Sequence, residues 1–141
     1  YEDYLECRSF NLTIEIFIND AIFYDLIQYL IQKNISPGQF IKNIHIEATQ
    51  INPTIKKLYV DYETEEKNNF WSNRKDLENF FKKTDTIKRY ISGELGTNEI
   101  YKYRSIAVFY NMDEFLETFL YIITLWILAT LILVTIIWLL F

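Results

Sequence analysis

Residues Phe119 to Phe141 read FLYIITLWILATLILVTIIWLLF, and none of these 23 side chains carries a charge. As an α-helix this stretch would be about 34 Å long, slightly more than the roughly 30 Å hydrocarbon thickness of a bilayer. Its apolar residues occupy every helical face, as the run Leu131 to Val134 illustrates, whereas a helix in a soluble core is usually apolar along one stripe. A strand of this length would expose unpaired edges to aggregation. The stretch therefore predicts a transmembrane helix.

Aromatic and hydroxyl side chains within the stretch agree with a membrane span. Tyr121 and Trp138 are 17 positions apart, or about 26 Å along a helix, which predicts one of them in each headgroup layer. Trp126 lies between them, where we expect packing or lipid contact. A threonine hydroxyl in a helix can bond to a carbonyl one turn earlier, so threonines are compatible with lipid. The stretch contains Thr124, Thr130 and Thr135.

The charges around the stretch indicate a direction of insertion. Asp113, Glu114 and Glu117 precede it, but acidic residues contribute little to the positive-inside rule. The nearest basic residues, Lys102 and Arg104, lie at the edge of the distance over which that rule acts, and no basic residue follows. With the charged region on the N-terminal side, we expect a tail anchor in a membrane, with the N-terminal domain in the cytoplasm. The alternative is a truncated or out-of-frame tail that imitates a span.

The remainder of the chain has the composition of one small domain. The 141 residues are 50% hydrophobic, which is enough for one core, and every charge precedes Thr118. We therefore divide the chain into a helical accessory domain, 1–112, and a membrane-spanning helix, 113–141. The net charge of -5 argues against nucleic-acid binding, which needs a dense basic face. Eleven tyrosines and eleven phenylalanines suit core packing and also docking on a partner.

Helix signals begin early in this domain. Residues 20–33 have helical apolar spacing, with Asp20 suited to cap the start and Asn34 suited to the end. Ser36, Pro37 and Gln39 form a capping-box pattern, which predicts a helix that starts there. A helix after Asn52 follows from the same logic. The side chains expected to face inward on these two helices are Phe40, Ile41, Ile44, Ala48, Ile55, Leu58, Tyr59 and Tyr62.

Later segments continue the helical pattern. We interpret the charged run Glu63 to Lys67 as a solvated helix end, and residues 72–91 as one or two helices that stop at Gly93 and Gly96. A further helix follows, with Thr97 or Asn98 suited to cap it, and Asp113 can cap the membrane helix. LTIEIFI, residues 12–18, alternates like a strand, but without a partner strand a helix or an extended lead-in is favoured. The prediction is all-α: a domain of four to six helices followed by one C-terminal transmembrane helix.

Residues with catalytic or metal-binding potential are scattered. His45 is the single histidine, and Cys7 the single cysteine. A His-based metal site would need further ligands, and Cys7 cannot close an intramolecular disulfide, so we expect a structural histidine, an inert thiol and a reducing compartment. No acid, base or nucleophile pattern appears, so we expect no catalytic residue and no metal ligand set on this chain. The basic residues Lys82, Lys83, Lys88 and Arg89 suit either anionic lipid or an ordinary solvated face.

Two stretches carry a family resemblance. YLECRSFNLTIEIFINDAIF, Tyr4 to Phe23, and ISGELGTNEIYKYRSIA, Ile91 to Ala107, resemble the helical region that follows the catalytic barrel in radical SAM proteins with an N-terminal cobalamin-binding domain. The resemblance spans roughly Tyr4 to Phe109. It implies a cobalamin domain and a partial barrel upstream, with a 4Fe-4S cluster in a CxxxCxxC motif that cleaves S-adenosylmethionine. With one cysteine, this chain carries no such motif, and its apolar tail departs from the family pattern.

Two functional hypotheses remain open. In the first, the chain is a non-catalytic accessory region of a radical SAM enzyme that packs against an upstream catalytic barrel and ends in a membrane anchor. In the second, it is a free-standing tail-anchored protein whose helices bind a cytosolic partner. Because the sequence begins with Tyr1 rather than methionine, we expect it to continue upstream. A CxxxCxxC triad there would support the first hypothesis, and a start codon just before Tyr1 would remove it.

Overall fold

A computed structural model of the protein describes residues 1–19 and 21–140. Within them the chain forms α-helices and no strand. The helices are α1 Glu2–Ile14, α2 Tyr24–Gln32, α3 Pro37–Ile51, α4 Pro53–Asn68, α5 Arg74–Phe81, α6 Thr84–Ile91, α7 Glu99–Tyr110 and α8 Met112–Leu140. The all-α prediction with a long apolar C-terminal helix is confirmed. Seven of these helices precede α8 in the described residues, rather than four to six, because α1 is helical although its apolar residues follow no clear stripe.

Helix α1 lies at the centre of the domain, in contact with α3, α4 and α7. A π-helical segment, Glu15–Asn19, continues it. Leu12, Ile16 and Phe17 are almost completely buried there. The alternating stretch at residues 12–18 is therefore helical, because positions four apart share one face of a helix and pack together against its neighbours.

The predicted starts of α3 and α4 are confirmed in detail. The Ser36 hydroxyl accepts a hydrogen bond from the Gln39 backbone N–H at 3.4 Å. The Gln39 side chain donates to Asn43 instead of returning to Ser36, so the capping box is half formed. Before α4, the Asn52 side-chain oxygen accepts from two backbone N–H groups of the first turn, at 2.9 and 3.2 Å. All eight side chains expected to face inward on these helices are buried.

Helix α2 is shorter than the predicted 20–33. It begins at Tyr24, and the expected cap, Asp20, lies outside the described residues. Its end is as predicted: Asn34 adopts a left-handed φ of 56°. The Ile35 N–H then bonds to the Leu30 carbonyl at 2.9 Å, and the Asn34 N–H bonds to the Ile31 carbonyl at 3.0 Å. This pair of bonds is a Schellman motif, which turns the chain from α2 toward α3.

The expectation of a solvated run at the end of α4 is wrong for Glu66, which is 4% exposed. Glu66 lies one turn after the buried Tyr62, so it continues the inner face of α4. Its two carboxylate oxygens accept hydrogen bonds from Arg8 of α1, at 2.6 and 3.2 Å. This hydrogen bond raises the pKa of the Arg8 guanidinium, against the opposite effect of burial. A paired charge thus joins α1 to α4 inside the domain.

Helices α5 and α6 form a hairpin that packs mainly on itself. Aromatic rings join its parts, with 4.7 Å between the centroids of Trp71 and Phe80 and 5.6 Å between those of Phe81 and Tyr90. The predicted stop at Gly96 is confirmed: its φ is 80°, and a Cβ there would lie 2.9 Å from the Tyr90 ring. The hairpin follows the C-terminal end of α4, a helix of 16 residues or about 24 Å.

Candidate membrane-anchoring surface

Helix α8 is one continuous helix of 29 residues, about 43 Å long. Its N-terminal half packs on the domain, where Phe115, Thr118, Phe119 and Ile122 are buried. From Ile127 to Leu140 every residue is exposed. In the most apolar 18-residue window, only 6% of the residues are buried. Length and composition therefore allow α8 to cross a membrane, and it differs from a soluble core helix in being uncovered.

The docked half of α8 is held by aromatic packing and one polar contact. The Phe119 ring lies near three other phenylalanine rings, with centroid distances of 5.3 to 6.3 Å. These rings belong to Phe17, Phe23 and Phe40. Next to them, the Asn52 side-chain amide donates a hydrogen bond to the Thr118 hydroxyl at 2.8 Å. Asn52 thus caps α4 and also fixes α8 beside the start of α4.

The three residues predicted to contact the membrane occupy different surroundings. Trp126 is half-buried; its ring packs edge-on to Phe40, with 5.8 Å between centroids, and its indole N–H donates to a Glu47 carboxylate oxygen at 3.3 Å. Tyr121 is exposed, and Trp138, at 83% exposure, lies far along the uncovered half. The structure therefore brings Trp126 to the edge of the domain and leaves the other two on the outer surface. Their location in the two headgroup layers stays a prediction.

The threonines of α8 bond as predicted. Thr124 donates to the Leu120 carbonyl, Thr130 to that of Ile127 and Thr135 to that of Ile132, each at 2.7 Å. Each hydroxyl is thus satisfied within the helix. Since an unsatisfied hydroxyl in hydrocarbon costs free energy, these bonds make the uncovered half compatible with lipid.

An apolar groove lies between α2, α3 and α8. It has a volume of about 320 Å³ and includes Leu26, Leu30, Phe40, Ile123 and Trp126 in its lining. Sequence reasoning did not find this groove, because its walls come from three helices. One signal in the sequence could have indicated it. Helix α2 has more apolar residues than one inner face needs, and isoleucine and tyrosine side chains of α2 therefore stay outside the core.

The basic residues of the α5–α6 hairpin are separated from the docked part of α8. The hairpin follows Asn69, whose side chain donates to Glu99 at the start of α7. Asn52, which bonds to α8, lies at the other end of α4. The geometry therefore favours the solvated-face interpretation of this basic group over a contact with lipid beside the anchor.

A second polar cluster lies inside the domain. The Thr13 hydroxyl lies 2.7 Å from His45 Nδ1 and 2.7 Å from the Tyr59 hydroxyl, which links α1, α3 and α4. Burial lowers the pKa of His45 and raises that of Tyr59, so both are neutral near pH 7. Such a network orders the packing of three helices without a charged group.

Cys7 lies closer to the histidine than the sequence indicated. Cys7 and His45 line the same surface depression, of about 310 Å³. No hydrogen bond joins them among the residues that the structure describes, and the His45 Nδ1 is engaged by Thr13. The arrangement therefore provides no thiolate–imidazolium pair of the kind that activates a cysteine nucleophile.

The 4Fe-4S cluster that the family resemblance implies does not fit the cysteine content of this chain. One cysteine cannot supply the three thiolates of a cluster-binding CxxxCxxC motif. In residues 1–19 and 21–140, no group of three or more His, Cys, Asp or Glu side chains is placed to hold a metal ion. The described residues therefore provide no ligand set for the 4Fe-4S cluster, and S-adenosylmethionine and cobalamin stay expectations for a region upstream.

Comparisons with known proteins place the chain in no family. No family model matches it, and no curated protein or solved structure matches it. The resemblance to radical SAM proteins stays a prediction. What the chain itself offers is a helical domain with one uncovered apolar helix.

Proposed function

We propose that this protein is a membrane-anchored helical module. In this proposal α8 enters the hydrocarbon layer from Ile127 onward, and its docked half fixes the domain at the membrane surface. The described residues from Ile127 to Leu140 make about 21 Å of helix, which is shorter than the roughly 30 Å layer, so the bilayer thins locally around the anchor. The uncovered surface of Ile127 to Leu140 carries the proposal. In water these side chains would form an apolar patch far larger than soluble monomers tolerate, whereas lipid removes that cost at about 25 cal/mol per Å².

In this proposal the module holds its helical domain at the membrane surface and catalyses no reaction. Two polar groups with a raised pKa, Tyr59 and Arg8, bridge helices inside the domain. The exposed hairpin α5–α6 is the part suited to a partner. Trp71, Phe81 and Tyr90 are each more than 40% exposed there, and such aromatic side chains are common at the energetic centres of protein interfaces. The partner would bind at the end of α4 that lies away from Asn52.

The cytoplasmic side is the proposed location of the domain. The charged region precedes α8, and its basic residues lie before the apolar stretch. A radical SAM barrel encoded upstream would be one partner that fits the hairpin. That identity depends on the resemblance alone, and a CxxxCxxC triad upstream of Tyr1 in the reading frame is the observation that tests it.

Membrane anchoring is tested by carbonate extraction of the expressed chain. The intact protein is expected in the membrane pellet, and a variant that stops after Trp126 is expected in the supernatant. The cut follows Trp126 because removal from Phe119 onward would also delete Phe119 and Ile122 from the core. Recovery of the intact chain as a soluble monomer would contradict the proposal.

Orientation is tested with the cysteine that the chain already contains. Cys7 is free and exposed, so a membrane-impermeant maleimide reaches it from whichever side holds the domain. We expect labelling of intact cells to fail and labelling after permeabilisation to succeed. The Cys7→Ser variant reports the background. Labelling in intact cells would place the domain on the other side while leaving the anchor itself unaffected.

A further inference from the structure

The groove between α2, α3 and α8 adjoins the uncovered half of α8. Its apolar lining, from Leu26 and Leu30 on α2 to Ile123 and Trp126 on α8, continues along α8 to Ile127 and Thr130. Ile127 is also the first residue of the segment in which every side chain is exposed. The groove and the proposed membrane segment are therefore one continuous apolar surface.

Helix α2 runs beside α8 across the start of that surface. Near its beginning, the ring centroid of Phe23 lies 6.2 Å from that of Phe119. Toward its end, Lys33 and Ile35 line the groove together with Thr130. If α8 enters lipid at Ile127, the C-terminal end of α2 lies at the level of the headgroups.

The outer side of α2 has the character of an interfacial helix. Tyr24 is 57% exposed there, and Ile31, two turns later, is 51% exposed beside the polar Gln32. Tyrosines with an apolar body and a polar tip are enriched at the headgroup layer, and helices with such mixed faces lie in it.

Lys33 is the only charged residue among those lining the groove. Its ammonium lies 5.6 Å from the centroid of the Tyr29 ring, so its charge stays near the groove. Two other polar groups of the lining are engaged elsewhere: the Thr130 hydroxyl bonds to the Ile127 carbonyl and the Trp126 indole bonds to Glu47. The groove thus offers an apolar cleft with one positive charge.

We infer that this groove binds a phospholipid of the bilayer. The phosphate lies at the Lys33 ammonium, at the membrane end of the groove, and one acyl chain turns away from the bilayer into the cleft between α2 and α8. The inference rests on the proposed anchoring by α8. Lipid is the occupant because the cleft continues into the proposed membrane segment, and because an anionic phosphate complements the single cation. The bound lipid covers the apolar side chains that the domain itself leaves open.

Fluorescence of Trp126 tests the inference in the full-length protein. Trp71→Phe and Trp138→Phe leave Trp126 as the only tryptophan, and both replaced residues are exposed. The variant is reconstituted into phosphatidylcholine vesicles in which part of the lipid carries brominated acyl chains. We expect bromine to quench Trp126, and the quenching to fall when Ile123→Phe fills the groove. Leu120→Phe, on an exposed position of the same helix, is the matched control and should leave the quenching unchanged.

The headgroup contact is tested with brominated phosphatidylglycerol in place of brominated phosphatidylcholine. Because one basic residue near an anionic surface contributes about 1 kcal/mol, we expect about fivefold stronger association of the anionic lipid with Trp126. Lys33→Gln should abolish this preference, and Lys42→Gln, on α3, should keep it. Leu26→Phe fills the groove from α2 and replaces Ile123→Phe if the latter fails to fold.

Two results distinguish this inference from the proposed anchoring. A protein that pellets with the vesicles, but whose Trp126 is unquenched or quenched equally in Ile123→Phe and Leu120→Phe, overturns the lipid site and leaves the anchor standing. A protein that does not pellet with the vesicles overturns both. Equal association of the two headgroups with the parent protein overturns the role of Lys33.

Discussion

Two consecutive segments of α8 share an apolar, uncharged sequence and have different surroundings. In Phe119 to Trp126, two side chains, Phe119 and Ile122, are buried against the domain. In Ile127 to Leu140, none is covered. Apolar sequence favours removal from water, but it does not specify whether protein or lipid replaces the water. The comparison shows that one continuous helix can close a protein core and then leave it.

The first segment belongs to the core in the same way as the other helices. Phe119 completes a set of phenylalanine rings from three helices, and Thr118 bonds to the cap of α4. The domain consequently depends on part of a stretch that hydropathy assigns to the membrane. Variants in the two segments should separate folding from insertion.

The largest expected effect concerns folding. Phe119→Ala should destabilise the domain by about 3–5 kcal/mol, because it removes a ring buried among other aromatic side chains. Leu131→Ala, in the uncovered segment, should change the stability of the domain by less than about 0.5 kcal/mol. Thermal unfolding of the detergent-solubilised protein, followed by circular dichroism, measures both. Similar losses for the two variants would show that α8 is docked along its whole length.

The next effect concerns insertion. Leu131→Arg should weaken membrane insertion by up to about 3 kcal/mol, which is the cost of arginine at the centre of a spanning helix. The matched control is Leu116→Arg, an exposed position in the docked half of α8 beside Glu117; it should insert like the parent. The inserted fraction in microsomes gives the comparison. Equal partitioning of Leu131→Arg and the parent would remove the distinction between the segments.

A smaller effect concerns the polar contact between α8 and α4. Thr118→Val should lower the free energy of unfolding by about 1 kcal/mol, because the half-buried Asn52 amide loses its acceptor. Thr130→Val removes a hydroxyl bonded only within α8 and should leave the unfolding of the domain unchanged. The same melting measurement applies. An equal loss of stability in Thr130→Val and Thr118→Val would show that stability depends on hydrogen bonds within α8 rather than on the contact between α8 and α4.

The smallest effect is a pH dependence of the stability of the domain. It comes from His45 in α3, the helix that supports the docked segment. Burial lowers the pKa of His45 below its usual 6.5 in the folded state, while Glu6 and Glu63 partly oppose this. The unfolded chain therefore binds the proton first, so stability is complete above about pH 6.5 and falls as the pH decreases through that value. His45→Gln should flatten the melting temperature between about pH 7.5 and pH 5.5. An equally steep profile in that variant would assign the dependence to other groups.

Local signals in the sequence predicted much of the domain. Ser36 and Asn52 begin helices because each side chain can accept a hydrogen bond from a backbone N–H a few residues away. Gly96 and Asn34 end segments because both adopt a left-handed φ there. Such devices depend on neighbours within about four residues, so the sequence is sufficient to recognise them.

The burial of Glu66 and the position of Trp126 could not be predicted in this way. Glu66 appears solvated within a charged run, yet its partner Arg8 is 58 positions away. Trp126 appears to lie inside a span, yet it bonds to Glu47 across 79 positions. The surroundings of a charge or an indole depend on a helix that is distant in the sequence, and no local pattern identifies that helix.

The sequence by itself determined that the chain is helical and that its last long helix is too apolar to be solvated on all sides. Helical spacing, caps and the absence of charge after Glu117 are enough for both conclusions. Only the tertiary structure decided that the core takes the part up to Trp126 and leaves the part from Ile127 uncovered. The physical reason is that a side chain is buried only when a second surface covers it. The surface that covers the first part of α8 is formed mainly by α3, α4 and α7 and is assembled only by folding.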